Sequence, residues 1–316
     1  MPRVSIVIPV YNGSNYLREA IDSALAQTYP EIEVLVVNDG STDGGATEAI
    51  ARSYGERIRY LAKENGGVAT ALNLGLREMT GEYFAWLSHD DVYLPRRIAA
   101  QMARVRECAG EAVMFADYAI VDAHGRRLGE RRYRGHPEAI RIELVVEDPV
   151  NGCTVLVPRR CFDVVGEFDT RLRTIQDYDM WFRLAERFPF VHVPEVVLLS
   201  RHHAAQGIRT ISSHHAETSR ELTRFLRLLR PDEIGRAHPG PPWSFYTWAA
   251  FRMKLRGYDQ VAAAALDCAR RHRAGVRSAV EITAVAAACA VLTRKMKPAY
   301  WLAAMRAVLR PPDSRG

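Results

Sequence analysis

Within the first ninety residues, four apolar runs alternate with stretches of helical periodicity, and this constrains the fold more than any other feature of the chain. Val4-Ser5-Ile6-Val7-Ile8 and Val34-Leu35-Val36-Val37 are β-branched runs, the second continuous in apolar residues as a strand covered on both faces should be. Pro9 has no N–H to give to a ladder and is expected to close the first strand. Tyr16, Leu17, Ala20, Ile21, Ala24 and Leu25 recur at spacings that predict a helix. The same reading predicts helices over residues 46–54 and 68–79, and strands over 58–61 and 82–87. Strand and helix alternating in this way build a Rossmann-like α/β fold, a mainly parallel sheet flanked by helices. In such sheets ligands gather at the carboxyl ends of the strands.

Three polar loops stand at those ends. Tyr11 and Asn12 follow the first strand, Asn38-Asp39-Gly40-Ser41 the second, and Ser88-His89-Asp90-Asp91 the fourth. Two like charges directly after a buried strand repel each other and must be hydrated or paired. A divalent cation with oxygen ligands resolves that repulsion and can hold a substrate's phosphates. An ordinary helix start, capped by Asp90 or Asp91 ahead of Pro95, accounts for the same residues without a ligand. The first turn carries no G-x-G-x-x-G and no P-loop, which counts against a dinucleotide fold.

Beyond about residue 205 the character changes. Residues 213–229 and four segments between 243 and 309 read as helical, with breaks at Gly257 and Gly275 and a linker at 238–242. This divides the chain into 1–205, an α/β domain, and 206–316, a helical C-terminal region. From Pro231 to Gly316 there are 14 Lys and Arg against 6 Asp and Glu, a net of +8, so the whole-chain +6 leaves −2 for the first 230 residues. No aromatic-interleaved basic motif appears, so nucleic acid is not an expected partner. The basic tail suits a peripheral contact with anionic lipid, or plain solvation of helix faces. The five cysteines are scattered without metal-ligand spacing, and no signal peptide leads the chain, so reduced thiols and a cytoplasmic location are expected. The longest uncharged apolar stretch, residues 282–293, is short of a membrane span.

Six motifs in order then give a resemblance. V-S-I-V-I-P-V-Y-N at residues 4–12, V-V-N-D-G-S-T-D at 36–43, E-N-G-G at 64–67, S-H-D-D at 88–91, V-G-E-F-D at 165–169 and Q-D-Y-D-M-W at 176–181 resemble glycosyltransferase family 2, inverting enzymes with the GT-A fold. The resemblance covers residues 3 to about 203. It implies that Tyr11 stacks on a nucleotide base, that Asp39 accepts the N3–H of uracil or thymine, and that Asn12, Asn65 and Gly66 line the nucleotide pocket. Each has a structural alternative: core packing for Tyr11, an Asx-turn for Asp39, a plain turn for Asn65 and Gly66. By the same resemblance Asp91 reaches Mn²⁺ or Mg²⁺, Asp90 contacts ribose or a metal-bound water, and His203 of Arg201-His202-His203 completes the metal shell. Asp177 is implied as the general base, with the N-terminal acid of a helix as its structural alternative. Asp43 reads as a helix N-cap, Trp181 as packing, and Asp179 as the alternative base.

The sequence departs from the family pattern at Ser88, Leu72 and Gln176, where the family has Asp, Arg and Glu. Lys63 or Arg201 is the expected source of a cationic contact to the nucleotide. The expected activity is transfer of a sugar from a nucleoside-diphosphate donor, UDP- or dTDP-linked by preference, to a hydroxyl on a glycan or glycolipid. A non-catalytic nucleotide-sugar binder of the same fold and a sugar-phosphate nucleotidyltransferase are the alternatives.

Overall fold

The computed structural model describes residues 1–108, 111–204, 206, 210–273 and 275–292. Among these the strands are β1 (Val4–Val10), β2 (Ile32–Asp39), β3 (Arg59–Lys63), β4 (Tyr83–Trp86), β5 (Val92–Tyr93), β6 (Val113–Val121), β7 (Arg127–Arg131), β8 (Leu156–Pro158) and β9 (Phe190–Arg201). They form one sheet in the order β3-β2-β1-β4-β8-β6-β9-β5, with β7 paired to β6. The helices are α1 (Leu17–Leu25), α2 (Ala46–Arg52), α3 (Val68–Glu78), α4 (Arg97–Glu107), α5 (Ile140–Val146), α6 (Arg160–Val165), α7 (Gln176–Arg187) and α8 (His214–Leu228). Four more follow: α9 (Pro231–Ala237), α10 (Pro242–Leu255), α11 (Asp259–Arg271) and α12 (Val276–Leu292).

β1 lies between β2 and β4, parallel to both, and every one of its residues is buried, as its unbroken apolar run requires. β3 extends the parallel half. Beyond β4 the sheet is mixed: β8 runs antiparallel to β4 and β6, while β6 and β9 are parallel. Pro9 does not close the first strand; it pairs with Val37 inside it. The reason is directional. Val7 O accepts the Leu87 amide on the β4 side, and Pro9, two residues on, faces that same side after β4 has ended. Its missing N–H leaves no ladder bond unmade.

α1 buries Leu17, Ala20, Ile21 and Ala24, the helical stripe predicted from spacing, against the sheet core. The chain divides into two compact units, Met1–Glu221 and Leu222–Gly316, with the division inside α8. The 238–242 segment is therefore a connection between α9 and α10 within the second unit. There α10 and α11 pack along each other, and Ala262, Ala265 and Ala269 are buried on α11. The fourth predicted helical segment, and the basic residues from Arg294 to Arg315, lie outside the described residues. Among the described residues no helix is long and apolar enough to cross a membrane.

Candidate active site

The loops after β1, β2 and β4 interlock. Asn12 has φ 49°, a left-handed conformation that asparagine tolerates better than most residues. Its amide donates to Ser41 Oγ at 2.9 Å, and its Oδ1 accepts the Thr42 amide at 2.7 Å. The next residue, Gly13, donates its amide to Thr47 Oγ1 at 3.0 Å. A Cβ on Gly13 would stand 2.4 Å from Val10 Cγ2 and 2.5 Å from His89 Cδ2, so only glycine lets the three loops meet. The N-cap of α2 is Gly45 and not Asp43, because the chain turns through Gly44 and Gly45 at positive φ; Asp43, two residues earlier, instead accepts Thr47 N and Thr47 Oγ1 in the first turn. Tyr11 is 46% exposed, which removes core packing as its role.

Asp39 ends β2 and is buried. Lys63 Nζ donates to its Oδ1 at 2.6 Å, the Gly66 amide to the same oxygen at 3.0 Å, and the Gly67 amide to Oδ2 at 2.8 Å. Asn65 Nδ2 donates to the Asp39 carbonyl at 2.9 Å. Lys63, one of the two expected cationic contacts, thus sits beside the carboxylate assigned to the base, and also donates to Thr70 Oγ1 at 2.8 Å. Asn73 makes paired bonds with the Phe168 backbone, both 2.9 Å, and so fastens α3 to the V-G-E-F-D segment.

The acidic loop reaches Arg201 and His203 because β5 pairs antiparallel with β9, Val92 opposite Leu199. Asp91 Oδ1 accepts the Arg201 amide at 2.8 Å, and Arg201 Nε donates to the Asp90 carbonyl at 2.9 Å. His203 Nε2 lies 2.9 Å from Asp90 Oδ2. The Arg201 guanidinium, the second expected cation, is engaged by Glu19 at 2.6 Å and stands 4.4 Å from the Tyr16 ring centroid. Burial, with Asp90 beside it, holds the Asp91 carboxyl well above the usual carboxylate range. Two adjacent carboxylates and an imidazole are a hard, oxygen-rich donor set, and a divalent cation would remove the cost of ionising Asp91. Among the described residues no three His, Cys, Asp or Glu side chains form a closed ligand group. Asp90 and Asp91 therefore suit a divalent cation as part of its ligand shell.

Asp177 is the second residue of α7 and is partly buried. Burial, and then the neighbouring Asp148, push its carboxyl up to about 7. Asp179 is committed elsewhere, to Arg183 at 2.8 Å, and Trp181 is fully buried with its ring edge-on to Phe168. Arg183 also donates to the carbonyls of Val165 and Glu167, fastening α7 to the segment that Asn73 holds from the other side.

Residues that sequence reasoning passed over join the two halves. A Cβ on Gly152 would stand 2.6 Å from the Trp86 ring and 3.4 Å from Asp177 Oδ2. The next residue, Cys153, meets Ser88 on the acidic loop: the Ser88 amide donates to its Sγ at 3.2 Å, and its thiol lies 3.3 Å from Ser88 Oγ. Arg97, fully buried, donates to the carbonyls of Cys153 and Val155 and stands 4.0 Å over the Tyr93 ring. A glycine set directly before an apolar strand was the only local signal.

Residues 5–162 match the sequence pattern of glycosyl transferase family 2. An uncharacterised glycosyltransferase of Rickettsia prowazekii is 41% identical over 262 residues, covering 81% of this chain and 81% of the relative. The chain spans about two fifths of the length of the first three curated relatives it matches. Among solved structures, residues 1–349 of S. aureus TarS in complex with UDP-GlcNAc superpose with a TM-score of 0.61 at 15% identity, over 83% of this chain and 89% of that one. The mannosyltransferase PcManGT from Pyrobaculum calidifontis, in complex with GDP-Man and Mn²⁺, gives 0.56 at 21% identity, over 97% and 84%. These likenesses show the GT-A fold. With the pattern matched over half the chain and a relative at this identity matched over 81% of both proteins, the chain belongs to glycosyltransferase family 2.

Proposed function

We propose that the chain is an inverting glycosyltransferase that moves a sugar from a nucleoside diphosphate to a hydroxyl of a glycan or glycolipid in cell-surface synthesis. The observation that carries this reading is the Asp177 carboxylate beside Gly152, whose neighbour Cys153 meets Ser88 on the acidic loop; burial and Asp148 push that carboxyl up to about 7. In a single displacement the acceptor oxygen bonds to the anomeric carbon on the face opposite the diphosphate, the carbon–oxygen bond to the diphosphate breaks and the nucleoside diphosphate leaves, and Asp177 takes the acceptor's proton. A base with a pKa near the working pH combines a large ionised fraction with useful basicity.

Asp39 favours UDP or dTDP. Among the described residues its Oδ2 accepts only the Gly67 amide, which leaves a lone pair for a pyrimidine N3–H. The exposed Tyr11 ring is suited to stack on that base, with Asn12, Asn65 and Gly66 along the pocket and Asp90 toward the ribose. PcManGT carries GDP-Man, so the fold also admits guanosine donors, and Asp39 is the ground for preferring uridine or thymidine here. Asp91 and His203 would hold Mn²⁺ or Mg²⁺. When bound, that ion supplies charge neutralisation for the diphosphate leaving group. The chemistry is assigned to residues 1–205 as the nucleotide-sugar-binding catalytic domain. Residues 206–316 are assigned as a helical region whose basic residues suit peripheral contact with an acceptor-bearing membrane.

Calorimetric titration with UDP, dTDP, GDP and NADH, each with and without Mn²⁺, tests the reading. The expected result is UDP or dTDP binding that needs the metal. Absence of any metal-dependent nucleotide binding would remove it.

A further inference from the structure

The start of α7 has no side-chain cap of its own. A carboxylate from another helix takes that place. Glu217, in the first turn of α8 and buried, accepts the Arg173 amide at 3.0 Å through Oε2. Its Oε1 accepts the Thr174 amide at 2.7 Å, Thr174 Oγ1 at 2.9 Å and the Ile175 amide at 3.2 Å. Three consecutive amides immediately ahead of α7 thus converge on one side chain.

From this geometry we propose that Glu217 is a positioning residue for the reaction: it clamps residues 173–175 and thereby fixes where α7 presents Asp177. The inference rests on the reading of Asp177 as the base. Asp177 lies only two residues beyond the last clamped amide, so any shift of 173–175 is delivered directly to its carboxylate. Misplacement of a catalytic group by about 1 Å can cost about a hundredfold in rate. A carboxylate here also meets the positive end of the α7 dipole, and the amides keep Glu217 ionised: they hold its carboxyl below the usual range against the upward push of burial. Residues beyond 205 therefore contribute to the chemistry through α8.

The test uses the full chain, with Glu217→Ala, which removes every acceptor, and Glu217→Gln, which keeps one. Amide hydrogen exchange is read at residues 173–177. Release of UDP from UDP-GlcNAc, UDP-glucose and UDP-galactose is read with Mn²⁺ present. In Glu217→Ala, exchange at 173–175 should rise at least tenfold while β1 and β4 stay protected. UDP release should fall about thirtyfold in kcat, with donor KM within twofold. Glu217→Gln should lie between the two, and Glu217→Ala should cost less than a further twofold on an Asp177→Asn background.

Unchanged exchange at 173–175 overturns the clamp whether or not any donor is turned over. Exchange that rises across the sheet as well overturns local positioning in favour of general stability. So does a kcat loss that persists in full on the Asp177→Asn background. The failures separate cleanly. If Asp177→Asn keeps wild-type turnover, the base reading falls. If Asp177→Asn abolishes it and Glu217→Ala leaves kcat unchanged, the Glu217 inference falls alone.

Discussion

The proposed donor end of the site, around Asp39, and the proposed base end, around Asp177, differ in how their polar groups are paired. At the donor end, Asn12, Asp39, Asn65 and Lys63 each have hydrogen-bond partners from a second loop, and the three loops lock at Gly13. At the base end, Trp86 Nε1, Gln176 Oε1, Tyr178 Oη, Trp181 Nε1 and His214 Nδ1 are buried and without a hydrogen-bond partner among the described residues. At the donor end Asp43 Oδ1 is the corresponding atom among the described residues, so the base end carries the larger share of such groups. The donor end is pre-organised, and order at the base end rests on a few long-range clamps, Arg183 and Glu217 chief among them.

If the ends divide the work in this way, the largest effect belongs to Asp177→Asn. Turnover should fall about a thousandfold, within the usual range for loss of a general base, while metal-dependent UDP affinity stays within twofold. In the wild type, kcat should climb with pH up to about 7 and then level, because the protonated carboxyl cannot take the acceptor's proton. A pH–rate profile and calorimetry on both proteins check this. Loss of UDP binding in the variant would break the division outright.

The two ends also differ in how far the sequence disclosed them. The donor end was legible because its residues sit in contiguous motifs at strand ends, where local periodicity fixes both the strand and the loop. Asp39 and Lys63 are brought together by the parallel pairing of β2 and β3, which the structure supplies. Asp177 was legible only through its family motif. Its surroundings were not, because Asp148, Gly152 and Glu217 arrive from separate segments and no local period links them. Arg97 is the sharpest case: a charged residue on a helix reads as solvated, yet it is fully buried with backbone carbonyls as its partners. Pro9 misled for a related reason, since its effect depended on which neighbour had already ended.

Gly152→Ala should strike both ends, because the added methyl would stand 3.4 Å from Asp177 Oδ2 and the next residue, Cys153, meets Ser88. The added methyl must displace the Trp86 ring, an overpacking that costs about 1–3 kcal/mol. A urea melt should show that loss, with turnover and UDP affinity reduced together. Full turnover in the variant would show that the turn is no shared floor.

Lys63→Met sharpens the comparison from the donor side. It removes a cation 2.6 Å from a buried carboxylate, a charged hydrogen bond worth about 1.5–3 kcal/mol, and leaves Asp39 to the Gly66 and Gly67 amides. UDP affinity should weaken about tenfold, while the pH midpoint of kcat stays where Asp177 sets it. A shifted midpoint would mean that the two ends are electrostatically joined.

The smallest effect concerns stability at the base end. The Asp177 carboxyl binds its proton more tightly in the folded protein than in the unfolded chain, where it titrates near 3.8. Between those two values the native state holds more protons than the unfolded state, so this group's contribution to stability falls as pH rises from about 4 to about 7. Above that window the fold carries a buried ionised carboxylate beside Asp148, and asparagine avoids that burden. The melting temperature of Asp177→Asn relative to wild type should therefore improve by a few degrees between pH 4.5 and pH 8. Asp39→Asn, which removes a carboxylate paired with Lys63 and two backbone amides, should instead lower the melting temperature throughout that range. Equal behaviour of the two variants would erase the distinction between a paired donor end and an unpaired base end.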